Sequence, residues 1–243
     1  MKKKKVFRGI ISFFLVAVIA FSLYNLLIIG KEYSDISNAD KAIQSEYVSN
    51  DSDDEDSGEL IINWQELLKR NADVIAWLYI PDTGISYPLL QGETNDQYLR
   101  RDIDKKYSKA GCVFVDCNNY NPFIDFNTVI YGHNLANSSM FSNLKKYSKQ
   151  SYADEHPIIY IYFPNGTCLE YKVFSFHKVN ALSTDVYNTF IADEDAFINT
   201  IKAGNKIKTN ADENNISSVI TLSTCTNVDK EERYVLHAVL NRE

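Results

Sequence analysis

Residues 219–240 read VITLSTCTNVDKEERYVLHAVL, which predicts two β-strands joined by a polar turn. The runs on either side of the turn are rich in β-branched and aliphatic side chains, as strands are. The first run ends in Cys225, and the second begins at Arg233. If the two strands pair as a hairpin, Arg233 lies alongside Cys225.

Similar short apolar runs continue upstream, where they alternate with turn residues such as Pro81-Asp82-Thr83-Gly84 and Pro164-Asn165-Gly166. Eight runs in all are predicted to be strands: 74–80, 85–90, 112–115, 128–131, 157–163, 169–176, 219–222 and 234–240. Eight short strands at this spacing predict an all-β barrel or sandwich.

Two helices are predicted among these strands. Asn63 is a helix cap with Glu66 at the third position, which predicts a short helix ending near Asn71. Apolar residues at helical spacing over 193–203 predict a second helix, capped by Asp193 and ended by Gly204. The second helix interrupts the later strands.

The N-terminus is predicted to be a membrane anchor. Lys2 to Lys5 and Arg8 precede an uncharged run over 9–30, in which 10–29 are 20 residues. At about 1.5 Å per residue such a helix spans a hydrocarbon core of about 30 Å. The positive-inside rule places the N-terminus in the cytoplasm and the rest of the chain outside. Cleavage as a signal peptide near residues 18–20 is the alternative.

A polar segment over 31–59 is predicted to be an extracellular spacer before a domain over 60–243. It ends in the acidic block 50–58, where like charges oppose packing and favour extended chain. A calcium loop is disfavoured because the block lacks the glycine and terminal glutamate of an EF-hand. The formal net charge of −7 gives no basic surface, so nucleic acid is not an expected partner.

Cysteine usage predicts neither a metal site nor a cofactor. The four cysteines form no C-x-x-C pair, and no histidine lies at zinc-ligand spacing from them. We interpret Cys112, Cys117 and Cys168 as small buried residues.

Cys225, His133 and Arg233 each lie where a predicted strand ends or begins. A thiolate is a good acyl-transfer nucleophile, but an unperturbed cysteine has a pKa near 8.5 and benefits from a neighbouring cation. His133 is a candidate for that charge and for the general acid that protonates the leaving amine. Arg233 is a candidate oxyanion donor, worth roughly 3 kcal/mol. Asp116, Asp125 and Asp185 are alternative candidates for orienting His133.

The sequence resembles the sortases at these residues. Thr221-Leu222-Ser223-Thr224-Cys225 with Arg233 eight positions later looks like the sortase signature, and Tyr131-Gly132-His133-Asn134 with Met140-Phe141 resembles the histidine segment. Residues 71–92 and 95–99 are similar to the start of the class B domain. The resemblance covers about 60–243 and implies an eight-stranded sortase-type β-barrel with an N-terminal helix and a helix inserted between late strands.

This resemblance implies a membrane-anchored cysteine transpeptidase. Cys225 attacks a Thr–Gly or Thr–Asn bond in a sorting signal of an exported protein, and a peptidoglycan precursor amine resolves the thioester. His133 is then the general acid/base, and Arg233 the oxyanion or substrate clamp. The implied substrate-binding residues are Asn95, Leu99, Ser183, Thr184, Tyr187 and Ser223. Tyr187 has a surface aromatic as its alternative interpretation.

The other histidines are given structural roles. His237 is predicted to lie in the core, and His156 and His177 beside loops.

Two rival functions stay open at this point. An L,D-transpeptidase also places His before Cys, but expects Ser-His-Gly-Cys with an arginine two residues past the thiol, whereas Thr226-Asn227 follow here. An anchored wall-binding module would leave Cys225 buried and unreactive.

Overall fold

The computed structural model describes residues 2–50, 60–182, 185–213, 215–229 and 231–241, without the side chains of 2–6, 8–10 and 50. The chain divides into two compact units, Met1–Lys41 and Ala42–Glu243. Helix α1 (Lys2–Tyr47) contains the apolar segment. Over Ile11–Tyr47 it is long and apolar enough to cross a membrane, and its most apolar window is not buried.

The second unit is built on a closed barrel of eight strands. They are β3 (Val74–Ile80), β4 (Ile85–Gln91), β5 (Phe114–Val115), β6 (Asn127–Tyr131), β7 (Ile158–Tyr162), β8 (Cys168–Asn180), β9 (Val219–Cys225) and β10 (Glu232–Leu240). Around the barrel the order is β10-β8-β7-β3-β4-β5-β6-β9. Pairs β4–β5 and β6–β9 are parallel, and the remaining pairs are antiparallel. The predicted eight-stranded barrel is confirmed.

Both predicted helices are present. Helix α2 (Trp64–Arg70) begins at Asn63, whose side chain accepts a hydrogen bond from the Glu66 amide at 3.3 Å. Helix α5 (Glu194–Ala203) lies between β8 and β9 and is capped by Asp193, which accepts from the Ala196 amide at 3.0 Å. Helices α3 (Asp96–Leu99) and α4 (Gln150–Glu155), and the 3-10 helix Phe141–Ser148, were not predicted.

Residues 42–50 belong to the compact unit, although the sequence placed them in a spacer. Helix α1 continues to Tyr47, which is buried in a core cluster with Leu67 and Trp77. Strand β1 (Val48–Asn50) then pairs with β2 (Leu60–Ile62) in an antiparallel ribbon. Most of the acidic block, residues 51–59, lies outside the described residues.

Expectations about three residues were wrong. Cys168 is exposed and Cys117 is half-buried, so only Cys112 is a buried cysteine as predicted. Cys168 opens β8 next to the β7–β8 turn, where the strand is still in contact with solvent. His177 lies within β8 and is buried, because its ring packs against the His237 ring at a centroid distance of 5.2 Å. His237 is fully buried, as predicted.

Candidate active site

The strand pairing brings three predicted catalytic residues to one end of the barrel. In the parallel pair β6–β9, Tyr131 lies opposite Ser223. His133 and Cys225 are each two residues further along, so they leave neighbouring strands at the same edge. In the antiparallel pair β9–β10, Arg233 lies directly opposite Cys225. The predicted hairpin is therefore confirmed.

A cleft of ≈ 540 Å³ opens at this edge. Seven of its lining residues were predicted as site residues: Asn95, Leu99, His133, Tyr187, Ser223, Cys225 and Arg233. Seven others were not: Asp96, Phe114, Tyr131, Gly132, Ala181, Leu182 and Thr224. Of these, Tyr131 and Gly132 adjoin His133 in sequence and Thr224 adjoins Cys225, and this adjacency was an available signal. Ser183 and Thr184 lie outside the described residues.

The His133 ring is oriented by a backbone carbonyl. Its Nε2 lies 3.0 Å from the oxygen of Leu99, the last residue of α3. Because a carbonyl oxygen only accepts, Nε2 carries the proton in this bond. In the neutral ring Nδ1 is then the basic nitrogen.

Burial lowers the pKa of His133 from its usual value, and the Arg100 charge acts in the same direction. The hydrogen bond to Leu99 opposes this shift only in part. A lowered pKa favours the neutral ring at neutral pH, rather than the positive charge beside the thiol that was expected from the sequence. Arg233, which pairs with Cys225 across the hairpin, provides a permanent cation there.

None of the three aspartates considered for orienting His133 is bonded to its ring in the described structure. Asp116 accepts from the Tyr131 hydroxyl at 2.8 Å and from the Asn95 amide at 3.0 Å. Asp125 accepts from the Asn121 backbone amide at 3.1 Å. Asp116 instead fixes two walls of the cleft.

The cleft has an aromatic floor with polar edges. The Tyr131 ring lies between Phe114 and Tyr187, at centroid distances of 5.4 and 6.1 Å. Burial, together with the charge of Asp116, raises the pKa of Tyr131, so its hydroxyl stays protonated as a donor. The Tyr187 hydroxyl lies 3.0 Å from Ser223 Oγ. Tyr187 is thus a wall of the cleft and not a surface aromatic.

Two asparagines that the sequence analysis did not single out join the histidine and cysteine segments. Asn134 donates from Nδ2 to the Cys225 carbonyl oxygen at 2.8 Å. Asn227 donates from Nδ2 to the Asn134 carbonyl oxygen at 2.7 Å. These bonds fix the backbone on both sides of the cleft. The spacing of His133 and Cys225 therefore depends on them as well as on the strand register.

No group of three or more His, Cys, Asp or Glu side chains in the described part of the chain is arranged to hold a metal ion.

Comparison with known proteins decides the family. A model of the sortase domain matches residues 78–241. The chain belongs to the sortase family. The sortase B of Listeria monocytogenes is 34% identical over 182 residues, 73% of this chain and 72% of the relative. The sortase B of Staphylococcus aureus is 31% identical over 170 residues, 69% of each chain.

Solved structures agree with this assignment. The structure of Clostridium perfringens sortase B has a TM-score of 0.67 at 28% identity, covering 73% of this chain and 99% of that chain. A sortase B complexed with triglycine has a TM-score of 0.66 at 28% identity, covering 73% of this chain and 85% of that chain. This sortase is of class B, and its activity is that of a cysteine transpeptidase. The two rival functions are thereby excluded.

Proposed function

We propose that this sortase is a membrane-anchored enzyme that cleaves a C-terminal sorting signal of exported proteins through a thioester and joins them to a peptidoglycan amine. One observation carries the proposal: the Cys225 thiol, the His133 imidazole and the Arg233 guanidinium line one cleft. Thiol acyl transfer needs a nucleophile, a proton-transfer group and an oxyanion donor, and these three groups fit those roles.

Acylation begins at Cys225 Sγ, which attacks the carbonyl carbon of the scissile peptide bond. Neutral His133 accepts the thiol proton at Nδ1, the nitrogen left basic by the bond from Nε2 to Leu99. The tetrahedral intermediate collapses by breaking the C–N bond, and His133 returns the proton to the departing amine. The product is a thioester between Cys225 and the new C-terminal residue of the substrate.

Arg233 stabilises the oxyanion of that intermediate. Arg233 lies opposite Cys225 in the strand pair, and both residues line the cleft. The planar fork directs two N–H groups at one oxygen, which a lysine ammonium does not reproduce. A donor of this kind contributes roughly 3 kcal/mol to transition-state stabilisation.

The sorting-signal peptide lies along the aromatic floor of the cleft. Asn95 and Leu99 contact it from the α3 side, and Tyr187 and Ser223 from the side of the β8–β9 connection. Ser183 and Thr184, which lie outside the described residues, remain predicted members of this second wall.

The thioester is resolved by an amine of the peptidoglycan precursor. The amine nitrogen attacks the thioester carbon, the C–S bond breaks, and the amine proton passes through His133, which leaves the thiol regenerated. That a sortase B has been solved complexed with triglycine supports a glycine amine as the acceptor.

The anchor is assigned to residues 1–30. The predicted acidic spacer over 31–59 is shortened, because residues 42–50 belong to the compact unit that holds the catalytic domain over 60–243. Helix α1 supports a membrane span by its length and composition. The lysines at 2–5 place the N-terminus in the cytoplasm and the cleft outside the cell. Migration of the full-length protein with membranes after carbonate washing tests the span, and a signal sequence would instead yield a shortened soluble chain.

The enzymatic proposal is tested with the full-length chain in detergent and a panel of quenched-fluorescent peptides that carry different sorting motifs. We expect cleavage of one motif, a transpeptidation product when triglycine is added, and loss of both in Cys225→Ala. Cleavage that persists in Cys225→Ala would remove the thiol from the mechanism.

A further inference from the structure

A chain of buried hydrogen bonds runs from the barrel to the segment that carries Tyr187. His237 Nδ1 lies 2.9 Å from Thr221 Oγ1, which lies 2.7 Å from Asn127 Oδ1. Asn127 Nδ2 is 3.4 Å from the Val186 oxygen and 3.0 Å from the Asn188 oxygen. The side chains of His237, Thr221 and Asn127 are each 0% exposed.

The donor and acceptor of each of these hydrogen bonds follow from the end at Val186 and Asn188. The carbonyls of Val186 and Asn188 only accept, so Asn127 donates to them and turns its oxygen toward Thr221. The single hydroxyl proton of Thr221 is therefore used on Asn127. It follows that His237 donates from Nδ1 to Thr221. These hydrogen bonds therefore have one consistent arrangement, in which His237 carries a proton on Nδ1.

The segment held by this chain forms one wall of the cleft. Residues 185–192 connect β8 to α5 without regular secondary structure. Among the described residues, four hydrogen bonds join them to the rest of the protein, and two of the four come from Asn127. These two flank Tyr187, whose hydroxyl lies beside Ser223 in the cleft.

We propose that His237, Thr221 and Asn127 are positioning residues that hold the Tyr187 segment against the cleft and thereby set the affinity for the sorting-signal peptide. This inference rests on the proposed function, because it takes Tyr187 to contact that peptide. None of the three residues touches the reacting atoms. Their effect is therefore on the fraction of molecules in which the wall is in place, and the apparent dissociation constant rises as that fraction falls.

The test compares Thr221→Val, which has a similar shape but no hydroxyl, with Thr221→Ser, which keeps the hydroxyl. We expect Thr221→Val to raise the KM for the peptide about five- to tenfold, the factor that follows from losing one or two net hydrogen bonds, with kcat changed less than twofold. Thr221→Ser restores KM. Ser175→Ala is the matched control. It removes a buried hydroxyl from β8, the strand paired with β10 on the side away from β9, and this hydroxyl has no hydrogen-bond partner in the described structure.

Amide hydrogen exchange provides a readout that does not depend on activity. In the full-length protein without peptide, Thr221→Val is expected to speed exchange in residues 185–192 while the amides of β9 and β10 keep their wild-type rates. If Thr221→Val does not fold, Asn127→Asp replaces it. The carboxylate still accepts from Thr221 but does not donate to the Val186 and Asn188 carbonyls.

Unchanged exchange in 185–192 would overturn the inference, as would a Thr221→Ser enzyme with the same KM as Thr221→Val. These results are separable from failure of the proposed function. If no peptide is cleaved by the wild-type enzyme, the exchange experiment still decides whether the hydrogen bonds through Thr221 and Asn127 hold residues 185–192 in place.

Discussion

Replacing Gly111 by alanine is expected to displace the carbonyl that orients His133. Gly111 has a φ of +60°, and a Cβ built there lies 2.5 Å from the Tyr98 oxygen and 2.6 Å from the Leu99 oxygen. Real Cβ atoms essentially never approach another heavy atom within 3.0 Å, so the backbone of Leu99 has to move. The Leu99 oxygen is the atom that accepts from His133 Nε2.

Gly111→Ala is expected to have two effects, a loss of folding stability and a loss of reaction rate. A non-glycine residue in the left-handed region costs about 1–2 kcal/mol of folding stability, before any cost of the contact. A displacement of about 1 Å in a group that positions the reaction costs about 10²-fold in rate. Moving the Leu99 oxygen from 2.6 Å to at least 3.0 Å from the new Cβ needs a shift of about 0.4 Å, which is smaller than 1 Å. We therefore expect kcat/KM of Gly111→Ala to fall between about tenfold and 10²-fold.

Gly166 offers a matched control for the backbone strain. It also has positive φ, +84°, but a Cβ there meets nothing within 4 Å. Gly166→Ala is expected to lower the thermal unfolding temperature while leaving peptide cleavage within twofold of wild type. The assay is initial-rate cleavage from pH 5 to pH 9 for both variants, with unfolding followed by circular dichroism. Equal losses of kcat/KM in the two variants, or near-normal activity in Gly111→Ala, would refute the role given to the Leu99 carbonyl.

Three further predictions concern the active site and the buried histidines. Arg233→Lys is expected to lose most of the peptide-cleavage activity, up to about 10²-fold in kcat, because the ammonium lacks the planar fork; near-normal turnover would remove Arg233 from the mechanism. Asn134→Ala is expected to lower kcat about tenfold with little change in KM, since it frees the segment beside the thiol. Asn143→Ala is the control and should keep kcat, because it breaks a similar amide-to-carbonyl bond of 2.7 Å made from the 3-10 helix Phe141–Ser148. Burial lowers the pKa of His177 and His237 in the folded protein, so both rings stay neutral there while the unfolded chain binds protons below about pH 6.5. The free energy of unfolding should therefore be highest above that pH and fall on acidification by up to about 1.4 kcal/mol per pH unit for each ring. Chemical denaturation from pH 7.5 to pH 5 measures this fall, which should be smaller in His237→Gln than in the wild type.

The barrel was predictable because its signals are local. Each strand shows as a short apolar run between turn residues, and the capping residues Asn63 and Asp193 mark where two helices begin. The hairpin pairing of Cys225 with Arg233 follows from a single seven-residue turn. Such features depend on neighbours in sequence, which a single chain displays directly.

The hydrogen bonds that position the site residues were not predictable, because they join segments that are distant in the sequence. Leu99 O meets the His133 ring across 34 positions, and Asn134 meets Cys225 across 91. Nothing in the sequence distinguishes a backbone carbonyl that orients a histidine from any other carbonyl, whereas an aspartate is visible as a candidate. Residues 42–50 were likewise assigned to a spacer, since the partners that bury Tyr47 begin only at residue 60.

The proposed mechanism depends above all on a thioester between Cys225 and the substrate. The most direct measurement is intact-protein mass spectrometry of the full-length enzyme, quenched with acid during turnover of a cleaved peptide, followed by peptide mapping. We expect an adduct with the mass of the N-terminal peptide fragment, located on Cys225, which disappears when triglycine is added. An adduct on another residue, or turnover without any adduct in a rapidly quenched single-turnover reaction, would contradict it.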